Sequence, residues 1–164
     1  LEWCEEQRLA ALTTAAEADT ELRHALARRL ADPHVAERLL AYFRRQEVDE
    51  GHVLMHHHEA SDNLYFLESG QITAYLQEED GSVARLQTMQ DWNVLGEIGF
   101  FLGSRRTASV VAEAPGVLYC LSHQALREMQ EDDPLLAAAL QNLIVQLLAE
   151  RVVHLVSVVD ALRR

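Results

Sequence analysis

All seven glycines of this chain lie between Gly51 and Gly116. Glycine serves turns and strand punctuation, and it costs stability inside a helix. The glycine-free first 50 residues and the glycine-free stretch after Gly116 therefore read as helical, and the segment between them as a compact β unit. A chain of 164 residues fits one domain with helical additions. With 49% hydrophobic and 24% charged residues, it has ample material for a packed core.

Local signals sharpen this layout. Leu1 to about Ala16 is Ala/Glu-rich and reads as helix, and Asp19 or Thr20 is placed to cap a second helix through Leu30. Asp32-Pro33 is a helix start with a capping carboxylate and Pro at the first helical position. The helix that follows puts Val35, Leu39, Leu40 and Phe43 on one face. From about residue 47 to 121 the pattern changes to short runs broken at Gly51, Ser61-Asp62-Asn63, Asp80-Gly81 and Pro115-Gly116. Gln71 to Leu76 alternates as a strand with one buried face should. Several short strands at regular spacing suggest a sandwich or jelly roll. Ser122 caps a helix through Met129, and Asp133-Pro134 opens a long last one. Residues 1–31 read as a helical linker or the end of a preceding domain, and 32–164 as the domain proper, with its last helices over 122–163.

The last helix is apolar on more than one side. Leu136, Leu140, Leu143 and Leu147 form one stripe, which Ile144, Leu148, Val152, Leu155, Val156 and Val159 widen. A face this broad has two things to cover. One is its own β unit. The other is either the N-terminal helices or a further surface, a homodimer seam or a docking site.

The segment from Gly96 to Val110 carries the chemistry. It holds Gly96-Glu97-Ile98-Gly99 and, nine residues after the Glu, Arg106-Thr107-Ala108-Ser109 before an apolar run. Glycines let backbone N–H groups approach an anion, and a short helix starting near Glu97 aims its positive end at it. One Arg grips two phosphate oxygens. Glu97, as a carboxylate, accepts a hydrogen bond from a ribose hydroxyl. This set suits a cyclic nucleotide monophosphate better than a triphosphate, which needs a Lys and a metal ligand.

The segment resembles the phosphate-binding cassette of the cyclic-nucleotide-binding domain family, and the likeness runs over about residues 35 to 163. It includes Leu39-Leu40-Ala41-Tyr42-Phe43 and Asp62-Asn63-Leu64-Tyr65-Phe66-Leu67-Glu68-Ser69-Gly70. The resemblance implies an α+β fold: an eight-stranded antiparallel jelly-roll-like β unit with N-terminal helices and two C-terminal helices. It implies Arg106 as phosphate ligand and Glu97 as ribose ligand. Thr107, Ala108 and Gly99 complete the cassette, Gly96 opens it, and Leu86 and Ile98 form an apolar wall for the base. The lid over the base falls near Leu147 to Arg151, with Leu147 apolar and Arg151 stacking on or hydrogen-bonding the base. Without ligand, a pairing of Glu97 with Arg106 is open. Two positions depart from the family: Trp92 and His58 stand where Gly is frequent. Arg105 stands where Pro is frequent.

The implied function is a non-enzymatic regulatory module that needs no cofactor. It binds a cyclic nucleotide, cAMP before cGMP, and signals to a fused partner by moving the last helices. A ligand-free interaction or dimerisation domain is the alternative. A third reading, a cupin-like metal enzyme, draws on His56-His57-His58 with His52 and Glu59, but the cupin spacing is not met. No Ser/His/Asp or Cys/His triad order stands out. The net charge of −12 argues against nucleic acid as a partner. Cys4 and Cys120 read as free thiols in a reducing cytosol. No uninterrupted apolar run long enough for a bilayer is seen, so no direct membrane insertion is expected. Leu1 in place of Met leads us to expect a piece of a longer protein. Leu1-Glu2-Trp3-Cys4-Glu5-Glu6-Gln7 resembles the end of the STAS domain of SulP-type anion transporters. That likeness implies a cytosolic module of a transporter at the inner membrane.

Overall fold

The computed structural model describes residues 22–90 and 92–164. The expectations for Leu1 to Ala16, for a cap at Asp19 or Thr20, for Cys4 and for the STAS-like segment lie outside these residues. A helix over 22–30, α1, leads through Ala31 into α2 (Pro33–Leu40). Asp32 caps α2 as its composition demands, its carboxylate accepting from the His34 N–H at 2.8 Å.

Eight strands follow in two antiparallel four-stranded sheets. One has β1 (Arg44–Val48), β8 (Gly116–Ser122), β3 (Asn63–Ser69) and β6 (Asn93–Leu95) side by side in that order. The other has β2 (Val53–Met55), β7 (Ser109–Ala112), β4 (Gln71–Gln77) and β5 (Val83–Gln90). The expected α+β jelly roll is what the chain forms. Its β unit opens three residues before the expected start near 47. The sequence Arg44-Arg45-Gln46-Glu47-Val48 is charged because β1 is a sheet edge, where charge discourages pairing with other chains.

The central strands β3 and β8 are buried on both faces, which explains their continuous apolar runs. Leu64 and Phe66 of β3, with Tyr119 and Leu121 of β8, face the helices. Tyr65 and Leu67, with Leu118 and Cys120, face the second sheet. Adjacent side chains of a strand point to opposite faces, so two strands serve two cores at once. Burial raises the pKa of the Cys120 thiol, which keeps it in the inert form.

Between β6 and β7 lies a short helix, α3 (Glu97–Leu102). After β8 come α4 (His123–Asp132), capped by the Ser122 hydroxyl, and α5 (Pro134–Arg163), capped by the Asp133 carboxylate. Leu136, Leu140, Leu143, Ile144 and Leu147 of α5 pack into the helical core beside Met129, Phe66 and Leu39. By length and composition alone α5 is long and apolar enough to cross a membrane, although Glu150 and Arg151 interrupt its apolar run. In this fold one face of its first half, Leu136, Leu140, Leu143, Ile144 and Leu147, is committed to the protein core, while Leu135 and Val145 on that half stay exposed.

Candidate functional site

The cassette is shaped by what glycine permits. Gly96 caps α3 with φ 74°, a left-handed conformation that side chains resist. A Cβ on it would lie 2.4 Å from Arg106 Nη1 and 3.2 Å from the Asn63 carbonyl oxygen. Gly99 has ordinary φ but no room. A Cβ there would lie 2.0 Å from Ser61 Oγ and 2.8 Å from Ser61 Cβ. Both glycines therefore allow α3 to sit against β3 and against the strand-to-strand segment carrying Ser61. Phe100 stacks on His123 with ring centres 4.0 Å apart, which fixes α3 against the start of α4.

Arg106 lies just ahead of β7 and is only 6% exposed. Its Nη1 donates to the Gly96 carbonyl at 3.0 Å and its Nη2 to the Asn63 carbonyl at 2.6 Å. It forms no ion pair with any described residue. Burial pulls its pKa down, against the opposing pull of Tyr65, Asp62 and Glu59, yet an arginine side chain stays charged. A buried cation held only by carbonyl dipoles has a strong preference for an anion.

The segment opposite holds Arg106 from the other side. The Arg106 N–H donates to the Glu59 carbonyl at 2.8 Å, and the His58 N–H to the Arg106 carbonyl at 3.0 Å. His58 adopts φ 70°, so the departure from Gly leaves the left-handed turn intact and strains it. Histidine is tolerated there better than bulky residues but less well than Gly. His58→Gly is expected to raise stability by about 0.5–1 kcal/mol, read as a higher urea midpoint at unchanged slope. A lowered midpoint would show that the His57–His58 ring stack, 3.7 Å between centres, outweighs the strain. Trp92 packs edge-on against Phe66 at 6.0 Å, and the Arg29 guanidinium lies 5.3 Å from its ring centre.

Glu97 is 4% exposed and pairs with Arg151 of α5, not with Arg106. The open pairing with Arg106 is thus resolved against. Arg151 Nη2 also donates to Asn93 Oδ1 at 2.5 Å and to the Val94 carbonyl at 2.6 Å. Arg151 bolts α5 to β6 and to the cassette in one contact. Beside it, Arg29 grips Glu150 with two hydrogen bonds of 2.8 and 3.0 Å, so α1 is tied to the same turn of α5.

Gly96, Glu97, Ile98, Gly99, Arg106, Thr107 and Ala108 line one cavity of about 130 Å³, with Arg151, Met55, Met89 and Val110 also among its walls. Leu86 and Leu147, expected at the same place, line a second and larger cleft of about 590 Å³. Trp92, Asn93, His154 and Leu155 share that cleft, and Gln87 and Arg151 border both spaces. Leu147 is 8% exposed and belongs mainly to the core, so it is wall more than lid. Asn63 was missed because its contribution is a carbonyl oxygen, which no side-chain pattern reports. Asn93 was missed because its partner lies 58 residues away.

His56, His57 and His58 do not lie along a strand. They follow β2 in a turn, where the Glu59 carboxylate accepts from the His56 N–H at 3.1 Å. Among the described residues no group of three or more His, Cys, Asp or Glu is arranged to hold a metal. The shared strand face that the metal reading requires is therefore absent.

Comparison with known proteins bears on this site. A family profile described as "Cyclic nucleotide-binding domain" matches residues 45–133. An uncharacterized NTE family protein of Mycobacterium tuberculosis is 29% identical over 119 residues, which is 73% of this chain. This chain spans only 20% of that relative's length. Among solved structures, a cyclic nucleotide-binding domain from Methylobacillus flagellatus aligns with a TM-score of 0.70 at 20% identity, covering 75% of this chain and 69% of its own. The cAMP-bound PfPKA-R aligns with a TM-score of 0.59 at 21% identity, covering 71% and 43%. At such identities the structural likeness speaks to the fold alone.

Proposed function

The chain belongs to the cyclic nucleotide-binding domain family, a family of regulatory and not enzymatic domains, and we propose that it binds cAMP in preference to cGMP. The observation that carries this reading is the buried, ion-pair-free Arg106 at a cavity whose other residues are Gly96, Glu97, Gly99 and Thr107. The phosphate sits on Arg106 and the cassette N–H groups, the ribose hydroxyl on Glu97. The base extends past Gln87 into the larger cleft, between Leu86 and α5. The preference for cAMP draws on the cAMP-bound neighbour.

Arg151 supplies the response. It occupies the Glu97 carboxylate from α5. A ribose hydroxyl on Glu97 changes what Arg151 has to bind, and so shifts α5 between two positions. The shift is set by the difference in ligand affinity for the two states. Arg29 on Glu150 passes the change to α1. From there it reaches fused parent domains, which we take to be a SulP-type anion transporter on the likeness of Leu1 to Gln7. The module then works on the cytosolic side of the membrane. The exposed apolar half of α5 adds a contact with a second copy.

Calorimetric titration with cAMP and with cGMP tests the reading. Micromolar affinity is expected, tighter for cAMP. Ligand at a hundredfold excess over Kd then raises folding stability by about 2.7 kcal/mol, visible as a higher Tm. No heat and no change in Tm with either nucleotide would favour the ligand-free interaction domain, for which the exposed apolar face of α5 is the supporting observation.

A further inference from the structure

A third cavity, of about 320 Å³, lies where the β2–β3 connection, the segment after α3 and the start of α4 come together. Five of its seven lining residues are polar: Ser61, Asp62, Ser104, Arg105 and His123. It shares no lining residue with the cassette cavity or with the larger cleft. Its volume is at the lower end of the roughly 300–1,000 Å³ of small-molecule sites. Such sites are mostly apolar. A cavity walled by hydroxyls, an imidazole and both signs of charge selects a polar occupant instead.

The polar groups around this space have bonding capacity left. Arg105 donates from Nη1 to the His58 carbonyl at 2.8 Å. The Nε–Nη2 edge of its guanidinium remains, and that edge fits a carboxylate through two parallel hydrogen bonds. Asp62 forms no ion pair with any described residue, Arg105 included. The two opposite charges thus line one space without closing on each other. His123 Nε2 lies 3.0 Å from the Ser61 carbonyl. A carbonyl only accepts, so Nε2 carries the proton, and in the neutral ring Nδ1 is left as an acceptor. Ser61 is 7% exposed, and its hydroxyl has no hydrogen-bond partner. A buried hydroxyl without a partner is uncommon and costs stability.

We infer that this cavity binds a small zwitterion, an α-amino acid, with its carboxylate on the free edge of Arg105 and its ammonium group on Asp62. An anion alone would be repelled by Asp62, and a cation alone by Arg105, so neither suits both walls. The other lining residues are short, Ala60 and Gly103 among them, and offer little apolar surface, so a short or polar side chain fits best. The occupant also reaches the cassette from behind. Ser61 Oγ lies where Gly99 has no room for a Cβ, and His123 stacks on Phe100. Gly99 and Phe100 both belong to α3, so this cavity and the cassette share one helix. Asp62 also acts on Arg106 through its charge. Binding at either site then changes affinity at the other by the same factor. This coupling rests on the nucleotide-binding reading, whereas the amino-acid site does not.

The test is a titration of the whole 164-residue chain, without nucleotide, with each of the common L-α-amino acids, followed in amide NMR spectra. A short one such as serine is expected to bind with a Kd of about 1 mM or tighter and to shift the amides of Ser61, Ser104 and Arg105. Acetate and ethylamine carry only one of the two charges, and each is expected to bind about tenfold more weakly or worse. Arg105→Gln and Asp62→Asn, both at exposed positions, are each expected to weaken amino-acid binding about tenfold at unchanged Tm. No saturable shift with any amino acid up to about 10 mM overturns the inference. Acetate binding as tightly as the amino acid overturns it too, in favour of an anion site, as does amino-acid binding that both substitutions leave intact. With saturating cAMP present, amino-acid affinity is expected to change about fivefold or more. An unchanged affinity overturns the coupling alone. A chain that binds no cAMP removes the coupling together with the nucleotide reading and leaves the amino-acid titration as it was, so the two proposals fail separately.

Discussion

Arg106→Ala is expected to weaken cAMP binding by about 2 kcal/mol, a factor of about 30, in calorimetric titration. The guanidinium is the one cation aimed at the cavity from within the cassette, and its two donors to Gly96 and Asn63 fix its plane. Loss of a charged hydrogen-bonding partner costs more than loss of a neutral one. The substitution also frees two carbonyls, so some stability is lost, and a melting curve of the variant separates unfolding from lost affinity. Arg106→Lys is the sharper control. It keeps the charge but not the two-pronged grip, so its affinity should fall between the two. Unchanged affinity in a folded Arg106→Ala protein would remove the phosphate role and with it the proposed binding mode.

Leu140→Ala is expected to cost about 3 kcal/mol of folding stability, measured by urea unfolding. Leu140 has no exposed surface and sits where α5 meets Phe66, Met129 and the N-terminal helices. Removing its side chain leaves a cavity that the surrounding core fills only in part. Leu135→Ala on the same helix should cost under about 0.5 kcal/mol, since Leu135 is 83% exposed. The contrast depends on burial alone, because residue type and helix are the same. Similar losses at both positions would mean that α5 packs on the domain through a different face.

The helix starts and the cassette were legible because their causes are local. Asp32, Ser122 and Asp133 each cap the helix that follows through a backbone N–H two or three residues on. Such a bond depends on nothing but the neighbouring sequence. The spacing from Glu97 to Arg106 is also covalent, and it brings seven of the expected ligand-binding residues into one cavity. β1 was placed late because a charged edge strand lacks the apolar alternation that marks the others.

What depends on distant parts of the chain was not legible. The sequence left open a pairing of Glu97 with Arg106, and only the path of α5 brings Arg151 to Glu97 instead, 54 residues on. Leu86 and Leu147 share a space with Trp92 and not with Arg106, because β5 and α5, far apart in sequence, meet there. The width of the apolar face on α5 was visible in sequence, but its division was not. Periodicity records that side chains are apolar, and only packing shows which are covered. Sequence alone determined the helix caps, the glycine-dependent cassette and the helix–β–helix layout, since bonds between near neighbours decide them. The tertiary structure decided the Arg151–Glu97 contact, the separation of the two clefts and the split of α5 into a buried half and an exposed one, because each requires chain segments far apart in sequence to meet in space.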